Sequence, residues 1–175
     1  MELSLDLFKP ITRDERQHES VTKWLKAKGH ASVVACTGLG KTFIAIKAIQ
    51  RMRKRYPELN VLVLVPTSAL QSQWIERLAE NDVLRNTTVQ VMMGASQRKY
   101  KCDSLLIDER HRINTKVLSN AFNVVKYKAI LGLTATFERL DGRDRILAKY
   151  APVCDEIPIE VAMANGWVSP YKDYV

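Results

Sequence analysis

The sequence predicts an α/β domain with a mainly parallel central sheet flanked by helices. Short, unbroken apolar runs of four to six residues recur along the chain, the pattern of strands buried on both faces. Stretches of helical periodicity separate these runs, so strand and helix alternate along most of the chain. The length of 175 residues suits one domain of ordinary size and is too short for two.

Taken in order, residues 14–28 form the first helical stretch, closed by Gly29 as the residue after its end. Residues 31–36 (ASVVAC) are an apolar run that ends at a glycine-rich turn. A helix over 41–55 stops two residues before Pro57, since the residue preceding a proline is pushed out of the helical region. Residues 61–65 (VLVLV) are a buried strand closed by Pro66, and 68–80 are a helix. The runs 89–93 (VQVMM), 105–108 (LLID) and 129–134 (AILGLT) repeat the strand pattern, with helices over 114–125 and 143–150. The run 157–161 (IPIEV) is the last expected strand, held to a sheet edge by Pro158.

Composition narrows the class. Hydrophobic residues make up 46% and charged residues 26%, which excludes disordered, collagen-like and coiled-coil chains. The longest aliphatic run is five residues, against the roughly 20 that a membrane span requires, so no membrane partner is expected. Glu2 and Asp6 replace the basic start and apolar block of a secretory signal. Cys36, Cys102 and Cys154 are odd in number, widely spaced and without a CxxC pair. That argues against a disulfide framework and a zinc site. A reducing intracellular setting is expected, cytoplasmic or nucleoid-associated. Lys and Arg number 27 and Asp and Glu 19, a surplus of +8 that fits a polyanionic partner.

The densest signal is Ala35-Cys36-Thr37-Gly38-Leu39-Gly40-Lys41-Thr42. It follows an apolar strand and opens a helix, the context of a phosphate-binding loop. Gly38 and Gly40 let the backbone curl so that its amides converge, and those amides with the helix N-terminus attract phosphate oxygens. Thr37, Gly38, Leu39, Gly40, Lys41 and Thr42 are therefore the candidate nucleotide-binding residues, with Lys41 reaching the β- and γ-phosphates and the Thr42 hydroxyl on Mg²⁺. Ala35 stands where the general pattern has glycine. Further on, Ser104-Leu105-Leu106-Ile107-Asp108-Glu109-Arg110-His111 is an apolar strand that ends in two carboxylates. At the C-terminal edge of a parallel sheet they would lie over the crevice where ligands bind. Asp108 suits a contact to Mg²⁺ through water, Glu109 suits orienting and deprotonating an attacking water, and His111 suits sensing the γ-phosphate or contacting a neighbouring element.

These residues resemble the first RecA-like domain of superfamily 2 helicases and translocases. Residues 35–42 are similar to motif I. Val65-Pro66-Thr67-Ser68-Ala69-Leu70 with Gln73-Trp74 is similar to motif Ia, residues 108–111 to motif II of the DExH kind, and Leu133-Thr134-Ala135-Thr136 to motif III. The extension Phe137-Glu138-Arg139-Leu140-Asp141-Gly142 resembles the branch of XPB-type helicases, phage branch-migration helicases and restriction-enzyme motor subunits. The resemblance implies a RecA-like P-loop fold, ATP and Mg²⁺ as cofactors, and hydrolysis of ATP to ADP and phosphate. It places Pro66, Thr67 and Gln73 near a nucleic acid backbone and makes Thr134 and Thr136 the link between nucleotide and nucleic acid. It places an adenine-reading glutamine at about Gln17. The arginine usual three positions earlier is Asp14 here, with Arg13 or Arg16 as substitute. The sequence departs from the family at Arg110, at Phe137, and in the short stretch from Trp74 to Asp108, which lacks a glycine-rich backbone-contact motif.

The whole of 1–175 is expected to be one RecA-like helicase ATP-binding domain, since it stops about where the first domain of such motors ends. A second RecA-like domain would come from a longer chain or in trans, and alone this lobe is expected to be weakly active or inactive. DNA is favoured over RNA as the partner. A non-motor module that binds ATP and nucleic acid is the alternative, and a nucleotide kinase is a more distant one. The basic residues Lys47, Arg51, Lys54 and Arg55 are read as a solvated helix face, Arg98, Lys99 and Lys101 around Tyr100 as a candidate backbone contact, and Trp24 and Trp74 as core packing.

Overall fold

The computed structural model describes residues 11–109, 115–135 and 143–169. Among the described residues, eight strands and seven helices follow in the order α1 (Arg13–Lys26), β1 (His30–Ala35), α2 (Lys41–Arg55), β2 (Val61–Val65), α3 (Ser68–Glu80), β3 (Thr87–Val91), α4 (Met92–Ala95), β4 (Tyr100–Lys101), β5 (Ser104–Glu109), α5 (Thr115–Val124), β6 (Val125–Lys126), β7 (Ala129–Thr134), α6 (Arg143–Tyr150), β8 (Val153–Ile157) and α7 (Ile159–Ala164). Six strands form one sheet in the order β3-β2-β5-β7-β1-β8, and every neighbouring pair in it is parallel.

Alternation of side chains across the strands divides the core into two layers. Val61, Val63 and Val65 of β2, Leu106 of β5 and Leu131 and Leu133 of β7 meet Val21 and Trp24 of α1, Ile44 and Ile49 of α2 and Trp74 and Leu78 of α3. The opposite face carries Leu62, Leu64, Leu105, Ile107 and Ile130 against Leu118 and Phe122 of α5 and Leu147 of α6. Doubly covered strands explain why the sequence shows continuous apolar runs here instead of alternation.

Three local expectations are corrected. The last strand is Val153–Ile157, not 157–161: Pro158 is the N-cap of α7, a place where its missing N–H leaves no ladder bond unmade. The strand expected over 89–93 runs instead over Thr87–Val91 and turns into α4 at Met92. At the end of α1 it is Lys28, with φ 58°, that occupies the first position beyond the cap, and Gly29 (φ 69°) is the second. The amides of Lys28 and Gly29 bond to the carbonyls of Leu25 at 2.9 Å and Trp24 at 3.1 Å, the paired closure of a Schellman motif. The two-residue pairing of β4 with β6 is too short for periodicity to announce.

Helix α1 begins with a capping box. The Thr12 side chain accepts from the Glu15 amide at 3.1 Å, and the Glu15 carboxylate accepts from the Thr12 amide at 2.6 Å. The helix is then fastened to edge strand β8 by a buried ion-pair cluster. Arg16 donates twice to Asp155, at 2.7 and 2.8 Å, joined by Ser20 Oγ at 2.7 Å and Lys23 Nζ at 2.9 Å. Arg16 is thus consumed in the core, and Arg13 donates to the Trp167 carbonyl at 3.4 Å. Burial pushes the Asp155 carboxyl upward, but the bonds from Arg16, Ser20 and Lys23 outweigh it and hold the pKa at about 2, below the ordinary 3.8.

A carboxylate with a lowered native pKa contributes stability above its unfolded value and loses it as pH falls through the native one. The wild-type chain should therefore lose stability between about pH 4 and pH 2. Asp155→Asn should flatten that dependence and, by leaving Arg16 buried without its counter-charge, cost about 3–5 kcal/mol at neutral pH. Urea midpoints at several pH values check both; equal pH slopes in the two proteins would refute the assignment.

Candidate nucleotide and metal site

Parallel register brings the sequence motifs to one edge of the sheet. In β7, Thr134 pairs with Glu109 of β5 on one side and with Val34 of β1 on the other. The phosphate loop leaves β1 immediately beyond, so the loop and the backbone positions of Asp108, Glu109 and Thr134 share the C-terminal edge, where ligands bind in open α/β sheets.

The loop itself is shaped by two glycines in the left-handed region, Gly38 at φ 89° and Gly40 at φ 88°. At Gly40 a β-carbon would also come within 2.7 Å of the Gln17 amide nitrogen, so that position excludes any side chain. Gly40 is the N-cap of α2 and supplies no side-chain bond to its first turn, and its carbonyl accepts from the amides of Phe43 at 3.0 Å and Ile44 at 3.1 Å. The Leu39 side chain is fully buried, so this residue serves the loop through its main chain alone. Its carbonyl accepts a 2.7 Å bond from Gln17 Nε2. Gln17 is itself buried and braces the loop from behind.

Across the loop lies a cleft of about 740 Å³, lined on one side by Thr37, Gly38, Gly40, Lys41 and Thr42 and on another by Asp108 and Ala135. That volume is in the range of small-molecule sites. The third wall is α3, through Leu70, Gln73, Trp74, Glu76 and Arg77. All but Glu76 recur at i, i+3, i+4 and i+7, one face of a helix, a signal in the sequence that would have grouped them. Gln73, grouped in the sequence with Pro66 and Thr67, thus faces the cleft. Thr67 is the N-cap of α3, its side chain accepting from the Leu70 amide at 3.2 Å. Arg77 lies over the Phe43 ring at 5.5 Å and ties α3 to the helix that follows the loop.

Asp108 is held in place on the wall of the cleft. It is 7% exposed, and its Oδ2 accepts from the Trp74 indole nitrogen at 2.9 Å. Its Oδ1 is buried and has no hydrogen-bond partner among the described residues. Leaving a charged acceptor buried and unpaired is costly, and a hard cation on Oδ1 would satisfy it. With the Thr42 hydroxyl on the same cleft, these residues fit Mg²⁺. Trp74 is in the core, as its helix spacing predicts; its bond to the acidic motif was not legible in the sequence. Glu109 closes β5 beside Asp108. His111 and Thr136 lie outside the described residues, as do the 137–142 extension and Arg110.

The basic features divide. On α2, Lys47 pairs with Asp14 at 2.8 Å and Arg51 donates to Thr22 Oγ1 at 2.8 Å, so half of that stripe fastens α2 to α1. Arg98, Lys99 and Lys101 are exposed, but Lys101 lies in β4, just ahead of the start of β5, at the sheet end opposite the phosphate loop.

A six-stranded parallel sheet with a phosphate loop and an acidic strand end on one edge defines the N-terminal RecA-like domain of a superfamily 2 helicase or translocase. The chain belongs to the family described as the type III restriction enzyme res subunit, whose model matches residues 11–99 and 85–139. It is 30% identical over 185 residues to the DNA 3'-5' translocase XPB2 of Sulfurisphaera tokodaii, an alignment covering 93% of this chain and 40% of the translocase. It is 32% identical over 139 residues to QP509L of African swine fever virus (strain Badajoz 1971 Vero-adapted), provisionally named an ATP-dependent RNA helicase, covering 65% of this chain and 26% of that protein. Among solved structures, the type ISP restriction-modification enzyme LlaGI, in complex with a DNA substrate mimic, superposes with a TM-score of 0.70 at 16% identity, over 87% of this chain and 20% of LlaGI. The chain thus spans less than half the length of each of these proteins. Among the described residues no helix is long and apolar enough to cross a membrane.

Proposed function

We propose that the chain, as a single RecA-like domain over 1–175, is the ATP-binding motor lobe of a nucleic acid-dependent ATPase, a DNA helicase or translocase that hydrolyses ATP to ADP and phosphate. The observation that carries this reading is that Asp108, whose buried Oδ1 has no hydrogen-bond partner among the described residues, lines the same cleft as the left-handed Gly38–Gly40 loop. Loop amides and Lys41 hold the phosphates, and Asp108 with Thr42 holds Mg²⁺, which when bound offsets phosphate charge. Gln17 keeps the loop in its binding shape through the Leu39 carbonyl. Glu109 orients the attacking water and takes its proton. A cation from a second RecA-like lobe would complete the transition-state site, a contribution of about 10³ to 10⁵ in related phosphoryl-transfer systems, so this lobe alone should turn over slowly.

DNA is favoured over RNA because the relative aligned over 93% of this chain is named a DNA translocase, against 65% for the relative named for RNA. The net charge of +8 supports binding that is electrostatic and indifferent to sequence. Fluorescence anisotropy with labelled duplexes at a series of salt concentrations tests this. Log K should fall linearly with log salt, by roughly 0.9 for each phosphate neutralised, and should be alike for duplexes of unrelated sequence. A flat salt response, or a strong preference for one sequence, would count against it.

A further inference from the structure

We propose that Trp74 is a positioning residue for the divalent cation: its indole N–H fixes the Asp108 carboxylate so that Oδ1 is presented to the metal. The proposal rests on the reading of Asp108 as the Mg²⁺-holding group.

A free aspartate carboxylate offers two equivalent oxygens, and its terminal torsion is broad. Here the two are made unequal. Trp74 is 2% exposed and Asp108 7%, and Nε1 donates to Oδ2 at 2.9 Å in a buried contact. Oδ1 is left buried and without a partner among the described residues. The indole nitrogen is a donor only. It therefore cannot compete for the cation, and it carries no charge that would repel one. A phenylalanine could fill much of the same core space without an N–H, so packing alone does not call for tryptophan at this position.

The contact also joins two motifs that are 34 residues apart in the chain. Trp74 lies on the helix whose N-cap is Thr67 and whose Arg77 rests on Phe43. That helix is therefore fastened both to the acidic strand end and to the helix after the phosphate loop. Any shift of α3 relative to β5 would turn the carboxylate, so α3 sets how well Oδ1 meets the metal.

The test is ADP affinity of the 175-residue chain, by calorimetry, with Mg²⁺ and with EDTA, for wild type, Trp74→Phe, Asp108→Ala and the double variant. Trp74→Phe should leave the EDTA affinity within about twofold and cut the Mg²⁺ enhancement about tenfold, the scale of a lost bond to a charged group. In the Asp108→Ala background the same change should have no further effect. Equal losses with and without Mg²⁺, or an undiminished enhancement, would overturn the positioning role. If Asp108→Ala itself keeps the full enhancement, the metal reading fails and takes this inference with it. Should Trp74→Phe not fold by circular dichroism, benzothienylalanine at position 74 replaces the N–H by sulfur at nearly unchanged shape, and the same outcomes decide.

Discussion

Lys41→Ala is expected to weaken ATP binding by at least about 100-fold, the combined scale of charge-assisted bonds to two phosphates. Lys41 is the first residue of α2, directly after the left-handed Gly40, and lines the cleft with Thr37 and Thr42. The loop amides supply dipoles, but the full positive charge on this side of the cleft comes from the lysine, and an ammonium acts on phosphate as a compact point charge. Alanine has the highest helix propensity, and the side chain is only half-buried, so the fold should tolerate the change. Calorimetry with Mg²⁺–ATP, paired with a thermal melt, checks this. A folded variant that binds within a few-fold of wild type would remove the loop from the nucleotide site.

Glu109→Gln should separate binding from chemistry. Glu109 ends β5 next to Asp108 and is in register with Thr134, so it sits at the sheet edge over which the cleft opens. Glutamine keeps the size and can still orient a water, but it cannot take the proton. In a protein carrying both motor lobes, turnover should fall by at least ~10²-fold, the contribution of a general base, with ATP affinity retained. Turnover near wild type would transfer the role to another group. Falling affinity with unchanged turnover would place Glu109 in binding.

Sequence alone determined whatever is encoded within a few consecutive residues. The bounds of α2 at Lys41–Arg55 and α3 at Ser68–Glu80 follow from apolar spacing and from Pro57 and Thr67, because helix periodicity and end signals are local. The strands Val61–Val65 and Ala129–Thr134 follow from their uninterrupted apolar runs. The phosphate loop follows from two glycines and Gly-Lys-Thr at a strand-to-helix junction, since positive φ and converging amides are properties of the loop's own backbone. Pro158 misled for the same local reason: a proline that demotes a strand is equally at home as the cap of the helix that follows it.

Tertiary structure decided the partners. Arg16 and Asp155 are 139 residues apart, Trp74 and Asp108 are 34, and Gln17 and Leu39 are 22. None of these spacings carries a periodic signal. Each pair joins elements distant in the chain: Arg16 of α1 reaches Asp155 of β8, Trp74 of α3 reaches Asp108 of β5, and Gln17 of α1 reaches Leu39 in the loop after β1. Packing likewise turned Gln73 and Arg77 toward the cleft and left one oxygen of Asp108 bonded and the other without a partner among the described residues. A strand's sequence specifies which residues point to one face; the atom waiting on that face belongs to another part of the chain, and only packing brings it there.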